Sequence, residues 1–326
     1  MIQQQIFHMT EINKTQFCEE REFDFLMIAA GSDRRAYEIL RKCKQHEISI
    51  KKLIVFDFNE RRKGLEKKAI KEYKEFESFG YDFSLIDCSI MDPASCLRSQ
   101  EISALGISST NTVALDISCF TKPYFFSILK YLKEKAEIGK MNIFYTEPIS
   151  YVFSKGIYTH YHSTKGFLHY MEIPGYPGLS RGGTRKKILL ILLGFDGELS
   201  AGLDEDISPN ETIAINGFPA YSPIFKDISL MNNEQLLLNI PRHQNLKYVP
   251  ANNPFEMFNF LEAFKNNYPE SFLNIAPLGP KPMALGACLY ALSDASTRIL
   301  YPFPQKYENK ISDRCANSWS YSIPLK

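Results

Sequence analysis

The chain has 326 residues, 44% hydrophobic and 23% charged, a balance suited to a folded globular protein and too apolar for intrinsic disorder. Lys plus Arg number 38 against 37 for Asp plus Glu, so a formal charge of +1 gives no general electrostatic reason to coat DNA or an anionic membrane. The length predicts two domains or one large one. No apolar run approaches the roughly 18 residues of a membrane helix, and seven cysteines without a CxxC pair fit a reducing cytoplasm rather than a disulfide scaffold.

The opening MIQQQIFHMTEINKTQF has neither a basic start nor an apolar centre, so no secretory signal is expected. Strands are predicted at Phe25–Ala30, Lys52–Asp57, Phe83–Asp87, Thr112–Ile117 and Asn142–Tyr145. Each is a short apolar run between turn residues, as in strands covered on both faces. RRAYEILRKCKQHE and ERRKGLEKKAIKEYKEFESF place apolar residues at helical spacing on a charged background, and YFFSILKYL reads as a helix opened by Lys122-Pro123. From Tyr151 to Met171 aromatic and small polar residues alternate, which predicts a hairpin or extended arm. Ile173 to Lys187, dense in Gly, Pro and basic residues, reads as a linker. Beyond it strands are predicted near Ile188–Leu193, Thr212–Asn216, Phe272–Ala276 and Arg298–Tyr301. Helices are predicted near Phe225–Ile228, Glu234–Asn239 and Pro254–Asn267, and over MALGACLYAL after Lys281-Pro282.

The two halves echo each other. Ile143, Tyr145, Pro148 and Tyr151 recur at one constant offset as Ile299, Tyr301, Pro304 and Tyr307. Lys-Pro opens an apolar helix in both, and a buried-strand run ends in Gly-x-Asp in both, at Gly31 and Asp33 and again at Gly194 and Asp196. Strand–helix alternation implies right-handed crossovers and mostly parallel sheets. The expected fold is therefore α/β, with two Rossmann-like three-layer halves related by a pseudo-two-fold axis. The expected boundaries are 1–150, an arm and linker at 151–187, and 188–326.

Ligands of open parallel sheets bind outside the carboxyl ends of the strands, so the loops there carry the candidates. After the first predicted strand come Gly31, Ser32, Asp33 and Arg34: glycine for a sharp turn, a capping side chain, and arginine for phosphate or solvent. No GxGxxG fingerprint is present, so no NAD or FAD cofactor is expected. Asp57 at the end of VFDFNE is placed to accept from a ribose or to cap the next helix. The fourth strand leads into Asp116-Ile117-Ser118-Cys119-Phe120-Thr121-Lys122-Pro123. A helix N-terminus with proline at its first position, a hydroxyl and a cation suits an anionic oxygen, most simply a phosphate. The second half offers Gly279 and Lys281, with backbone amides and charge in place of hydroxyls.

The pattern Asp116-x-Ser118-x-x-Thr121-Lys122 resembles the signature loop of CARF domains, the CRISPR-associated Rossmann-fold sensors of cyclic oligoadenylates. The resemblance covers about 150 residues of the first half and, more loosely, the second. It implies that the polar residues and lysine of this loop line a nucleotide pocket, joined by Gly31 to Arg34. The chain departs from the pattern at Cys119 and Phe120, where that family commonly has glycine, and no effector domain such as a nuclease is expected to follow.

Other features weigh less. Phe218 and Tyr221, between Asn216 and Pro223, read either as a base-stacking platform or as core. Asn252 and Asn253 read as base or sugar readers or as the start of a helix, and Tyr145 and Tyr301 as strand-tip residues closing a pocket. His160 and His162, with His169 nearby, could place two imidazoles on one face of a strand, whereas zinc usually takes three or four ligands with an ordered second shell, so no metal is expected. Asp204-Glu205-Asp206 reads as a solvated helix surface, and Glu147 as the best unassigned carboxylate. The expected function is a nucleotide or oligonucleotide sensor in antiviral defence, acting through a protein partner or a homo-oligomer. The alternatives are an enzyme acting on a phosphorylated metabolite or nucleotide through Asp116, Lys122 or Glu147, and a structural subunit of a complex.

Overall fold

A computed structural model of the chain describes residues 8–31, 33–58, 73–90, 92–94, 100–152, 164–178, 186–240, 245–307, 311–312 and 314–325. The chain divides into two units, one of Met1–Ser150 with Ile311–Lys326, the other of Tyr151–Lys310.

In the first unit the described strands are β1 (His8–Ile12), β2 (Glu22–Ala29), β3 (Ser49–Phe58), β4 (Phe83–Cys88), β5 (Val113–Asp116), β6 (Lys140–Pro148) and β15 (Cys315–Pro324). They form one sheet in the order β1-β15-β6-β5-β2-β3-β4. From β6 to β4 every neighbouring pair is parallel, whereas β15 runs antiparallel to both β6 and β1. The described helices are α1 (Arg35–Gln45), α2 (Gln100–Ala104) and α3 (Lys122–Glu134), with a further helical turn at 73–78. Apolar spacing on α1 puts Ala36, Tyr37, Ile39, Leu40 and Cys43 into a core shared with Leu26, Ile28, Leu53 and Val55 of the sheet. Leu26, Leu53 and Val55 are wholly enclosed, which is why β2 and β3 read as continuous apolar runs.

The second unit repeats the plan. Its strands β8 (Thr164–Pro177), β9 (Lys187–Leu192), β10 (Glu211–Gly217), β11 (Leu246–Val249), β12 (Phe272–Pro277) and β13 (Arg298–Tyr307) are ordered β11-β10-β9-β12-β13-β8. Five are parallel, and β8 pairs antiparallel with β13. Helices α4 (Gly197–Ile207), α5 (Pro223–Asn232), α6 (Glu234–Asn239), α7 (Pro254–Asn267) and α8 (Lys281–Ser293) connect them. Residues Pro282 to Ala291 of α8 are all buried, which explains why its sequence has no polar face. The short strands β7 (Tyr151–Val152) and β14 (Ile311–Ser312) stand outside these two sheets.

The fold is thus α/β with two Rossmann-like halves and mostly parallel sheets. The series β15-β6-β5-β2-β3-β4 matches β8-β13-β12-β9-β10-β11 in both order and direction. Of the recurring residues, Ile143, Tyr145 and Pro148 fall on β6 and Tyr151 opens β7, whereas all four counterparts fall on β13; the two Lys-Pro pairs open α3 and α8. The boundary differs from the expected one. The chain leaves β6 and supplies β8 to the second unit, then leaves β13 and returns β15 to the first, because the last strand finds its ladder partners on β6 and β1. The expected arm is accordingly, over Thr164–Pro177, a ladder strand with register shifts against β13. Residues 153–163 and 179–185 of the arm and linker, and 60–72 of the second predicted helix, lie outside the described residues.

Candidate functional site

In the first unit, chain order along the sheet reverses between β2 and β5. The loops after these two strands therefore flank the crevice where open α/β sheets receive ligands. Gly31 and Asp33–Arg34 lie in one, and Ser118 to Lys122 in the other, with Asp116 at the tip of β5.

The loop after β2 is largely committed to itself. Asp33 accepts from the Arg35 backbone N–H at 3.0 Å and from its guanidinium at 2.8 Å, which fixes the entry of α1. Arg35 is buried in this fork, while Arg34 is exposed and is the arginine that faces water. Among the described residues a Cβ at Gly31 would meet the Asp33 nitrogen at 4.0 Å and nothing nearer, so a methyl fits there without a clash. Ser32 lies outside the described residues.

The loop after β5 holds a buried polar chain. Asp116 accepts from the backbone N–H of Ser118 at 2.9 Å and from its hydroxyl at 2.5 Å. Ser118 in turn accepts from the Thr146 N–H at 2.8 Å, and Thr146 Oγ1 meets Ser318 Oγ at 2.9 Å. Asp116 and Ser118 are enclosed, so they tie the loop to β6 and β15 and shape it from below. Phe120 packs between Phe56 and Phe58, filling a place where the CARF pattern has glycine. Thr121 is the residue before α3, extended at φ −72°, ψ 151°, and its Oγ1 is buried with no hydrogen-bond partner among the described residues. Lys122 is the first residue of α3 and Pro123 the second, one place later than expected for the proline. A cation at a helix N-terminus opposes the macrodipole by about 0.3–1 kcal/mol, so helix stability alone does not select it.

Asp57, the penultimate residue of β3, is almost completely buried and accepts from the Tyr73 hydroxyl. Tyr145 is buried as well. Glu147, near the end of β6, accepts from Trp319 Nε1 at 2.5 Å. Burial pushes its carboxyl up to about 7 against the pull of that indole N–H, and the Glu11 carboxylate adds to the rise.

The corresponding loops of the second unit are shut against each other. A Cβ at Gly194 would meet the Leu278 carbonyl oxygen at 2.3 Å, and one at Gly279 would meet the Leu193 oxygen at 3.0 Å. Asn233 and Ser229 donate to the Gly194 carbonyl at 2.8 and 3.1 Å. Lys281 opens α8 as Lys122 opens α3, with Pro280 before it. Asp196 accepts from the Thr164 N–H at 3.0 Å, and Asn253 caps α7 by accepting from Phe255 and Glu256. Tyr221 donates to the Ala251 carbonyl at 2.8 Å, whereas Phe218 is exposed. Of the histidines, His169 stacks on Phe303, and His160 and His162 lie outside the described residues. The acidic run at Asp204 to Asp206 lies on α4, with Glu205 and Asp206 exposed and Asp204 accepting from Thr212.

Sequence reasoning missed Thr146, Ser318 and Trp319 as members of the first unit's network. The signal available was the period-two Ser318-x-Ser320 run beside the chain's single tryptophan. No helix among the described residues is long and apolar enough to cross a membrane. No protein-family model matches the chain, and no curated protein matches it.

Proposed function

We propose that the protein is a nucleotide- or oligonucleotide-binding sensor, similar in mode to CARF domains, with its ligand phosphate held by the first unit's loops after β2 and β5. The observation that carries this reading is the start of α3 at the sheet's reversal point. A buried hydroxyl with no partner among the described residues (Thr121) and a lysine placed against the dipole (Lys122) stand there together. An anion at that spot would accept from the Thr121 hydroxyl and meet the positive end of the helix dipole beside the Lys122 charge. Gly31 leaves room for a methyl among the described residues of the facing loop, and Arg34 is the exposed cation there. Asp116 and Ser118 act from beneath, holding the loop rather than touching the ligand. In the second unit Lys281 supplies a comparable charge, over a crevice that Gly194 and Leu278 close.

The test is a thermal-shift screen of the full chain against mono-, di- and cyclic nucleotides, followed by chromatography of the recovered ligand. A sensor gains stability from one class and returns it unchanged, because a ligand that binds only the native state raises its stability. Recovery of a converted product assigns the enzyme reading, and no response to any nucleotide removes the proposal.

A further inference from the structure

The loops that leave β10 and β11 are zipped together. The Phe218 N–H donates to the Val249 oxygen at 2.8 Å, the Ala251 N–H to the Pro219 oxygen at 3.0 Å, and the Tyr221 hydroxyl to the Ala251 oxygen at 2.8 Å. Gly217 permits the approach, since a Cβ there would meet Ala251 Cβ at 3.1 Å and Met283 Sδ at 3.3 Å. The lip so formed holds the Phe218 ring 53% exposed, next to Tyr248, 48% exposed on the edge strand β11. The rings meet edge to face with centroids 6.2 Å apart. Lys226 Nζ stands 5.6 Å from the Phe218 centroid and 3.1 Å from the Asp227 carboxylate.

Leaving two large rings in water forgoes the gain from covering them, and the three loop bonds keep them from turning inward. They sit, moreover, where parallel strands end and ligands of such sheets bind. We propose that Phe218, Tyr248 and Lys226 form a stacking site for an unpaired nucleobase that carries a phosphate. The site belongs to the second unit and does not depend on the loops assigned above. The ring faces take the base, and the ammonium group meets the phosphate beside it. A wholly apolar partner would bury Lys226 with Asp227 as its one acidic neighbour among the described residues, whereas a phosphorylated base brings its own anion to the edge of the ring. Stacking of this kind tolerates any base, because every base presents a π-face.

Fluorescence anisotropy of a labelled deoxyadenylate decamer with the full chain at low salt tests this, with AMP as competitor in a second arm. Phe218→Ala and Tyr248→Ala should each weaken binding by about fivefold or more, while Phe218→Trp retains it. Lys226→Gln should flatten the salt dependence, and the losses from the two aromatic substitutions should persist in a Lys122→Ala background, which removes the cation assigned to the first unit. Displacement by AMP identifies a free nucleotide as the occupant, and resistance to AMP identifies a single strand. The proposal is overturned if neither probe binds, or if binding survives both aromatic substitutions in variants that melt like the parent. Loss of binding in Lys122→Ala alone would move the site to the first unit, and equally ends it.

Discussion

At the scale of single residues, Glu147 gives the most direct readout, because its hydrogen-bond donor is the only tryptophan in the chain. Its carboxyl is raised from 4.5 to about 7, so the native state binds its proton more tightly than the unfolded chain does. The stability this contributes is fully present below about pH 4.5 and is lost as pH rises through 7. Tryptophan emission should therefore titrate with a midpoint near pH 7, and the melting temperature should fall across the same window. Glu147→Gln should abolish both changes; an emission titration that persists in that variant would show that another group is responsible. The pairing was hidden in the sequence because 172 positions separate the partners. Asp116, Ser118 and Thr121 were legible as a polar loop at a strand end. Their division of labour was not, since only the ladder between β6 and β15 brings Thr146 and Ser318 beneath them.

Among the elements, the parallel strands and main helices stood out in the sequence because each is buried on both faces or along one stripe. The strands it concealed, β1, β11 and β15, are edge or antiparallel strands with mixed exposure, so no apolar run marks them. The short α2 and the acidic-tailed α4 were likewise faint. The shared Gly-x-Asp motif shows how one pattern serves two ends. At Gly194 the loop after β9 is pressed onto the backbone of Leu278, whereas at Gly31 a Cβ would come no closer than 4.0 Å to its nearest described neighbour, the Asp33 nitrogen. Gly194→Ala forces two backbone segments apart and should destabilise by about 1–3 kcal/mol in chemical denaturation, as overpacking does. Gly31→Ala should stay within about 0.5 kcal/mol of the parent. Equal effects at the two positions would contradict this account of a glycine without close neighbours in one unit and a tightly packed one in the other.

For the whole molecule, the echo between the halves was visible in a few residues. The matching strand orders give it a topological basis that no single motif supplies. What the sequence could not reveal is the return of β15 to the first unit, because pairing at that separation depends on cross-strand register and not on local pattern. A near-neutral chain must also gather anions through local charge, so binding should rest on few cations and weaken only modestly with salt. Calorimetric titration of a cyclic oligoadenylate and of ATP into the full chain and into Lys122→Ala measures this most directly. The account predicts saturable binding of at least one of them by the parent, weakened about tenfold or more in the variant, roughly the loss of one charge-assisted contact. Identical isotherms for parent and variant, or no heat with either nucleotide, would contradict it.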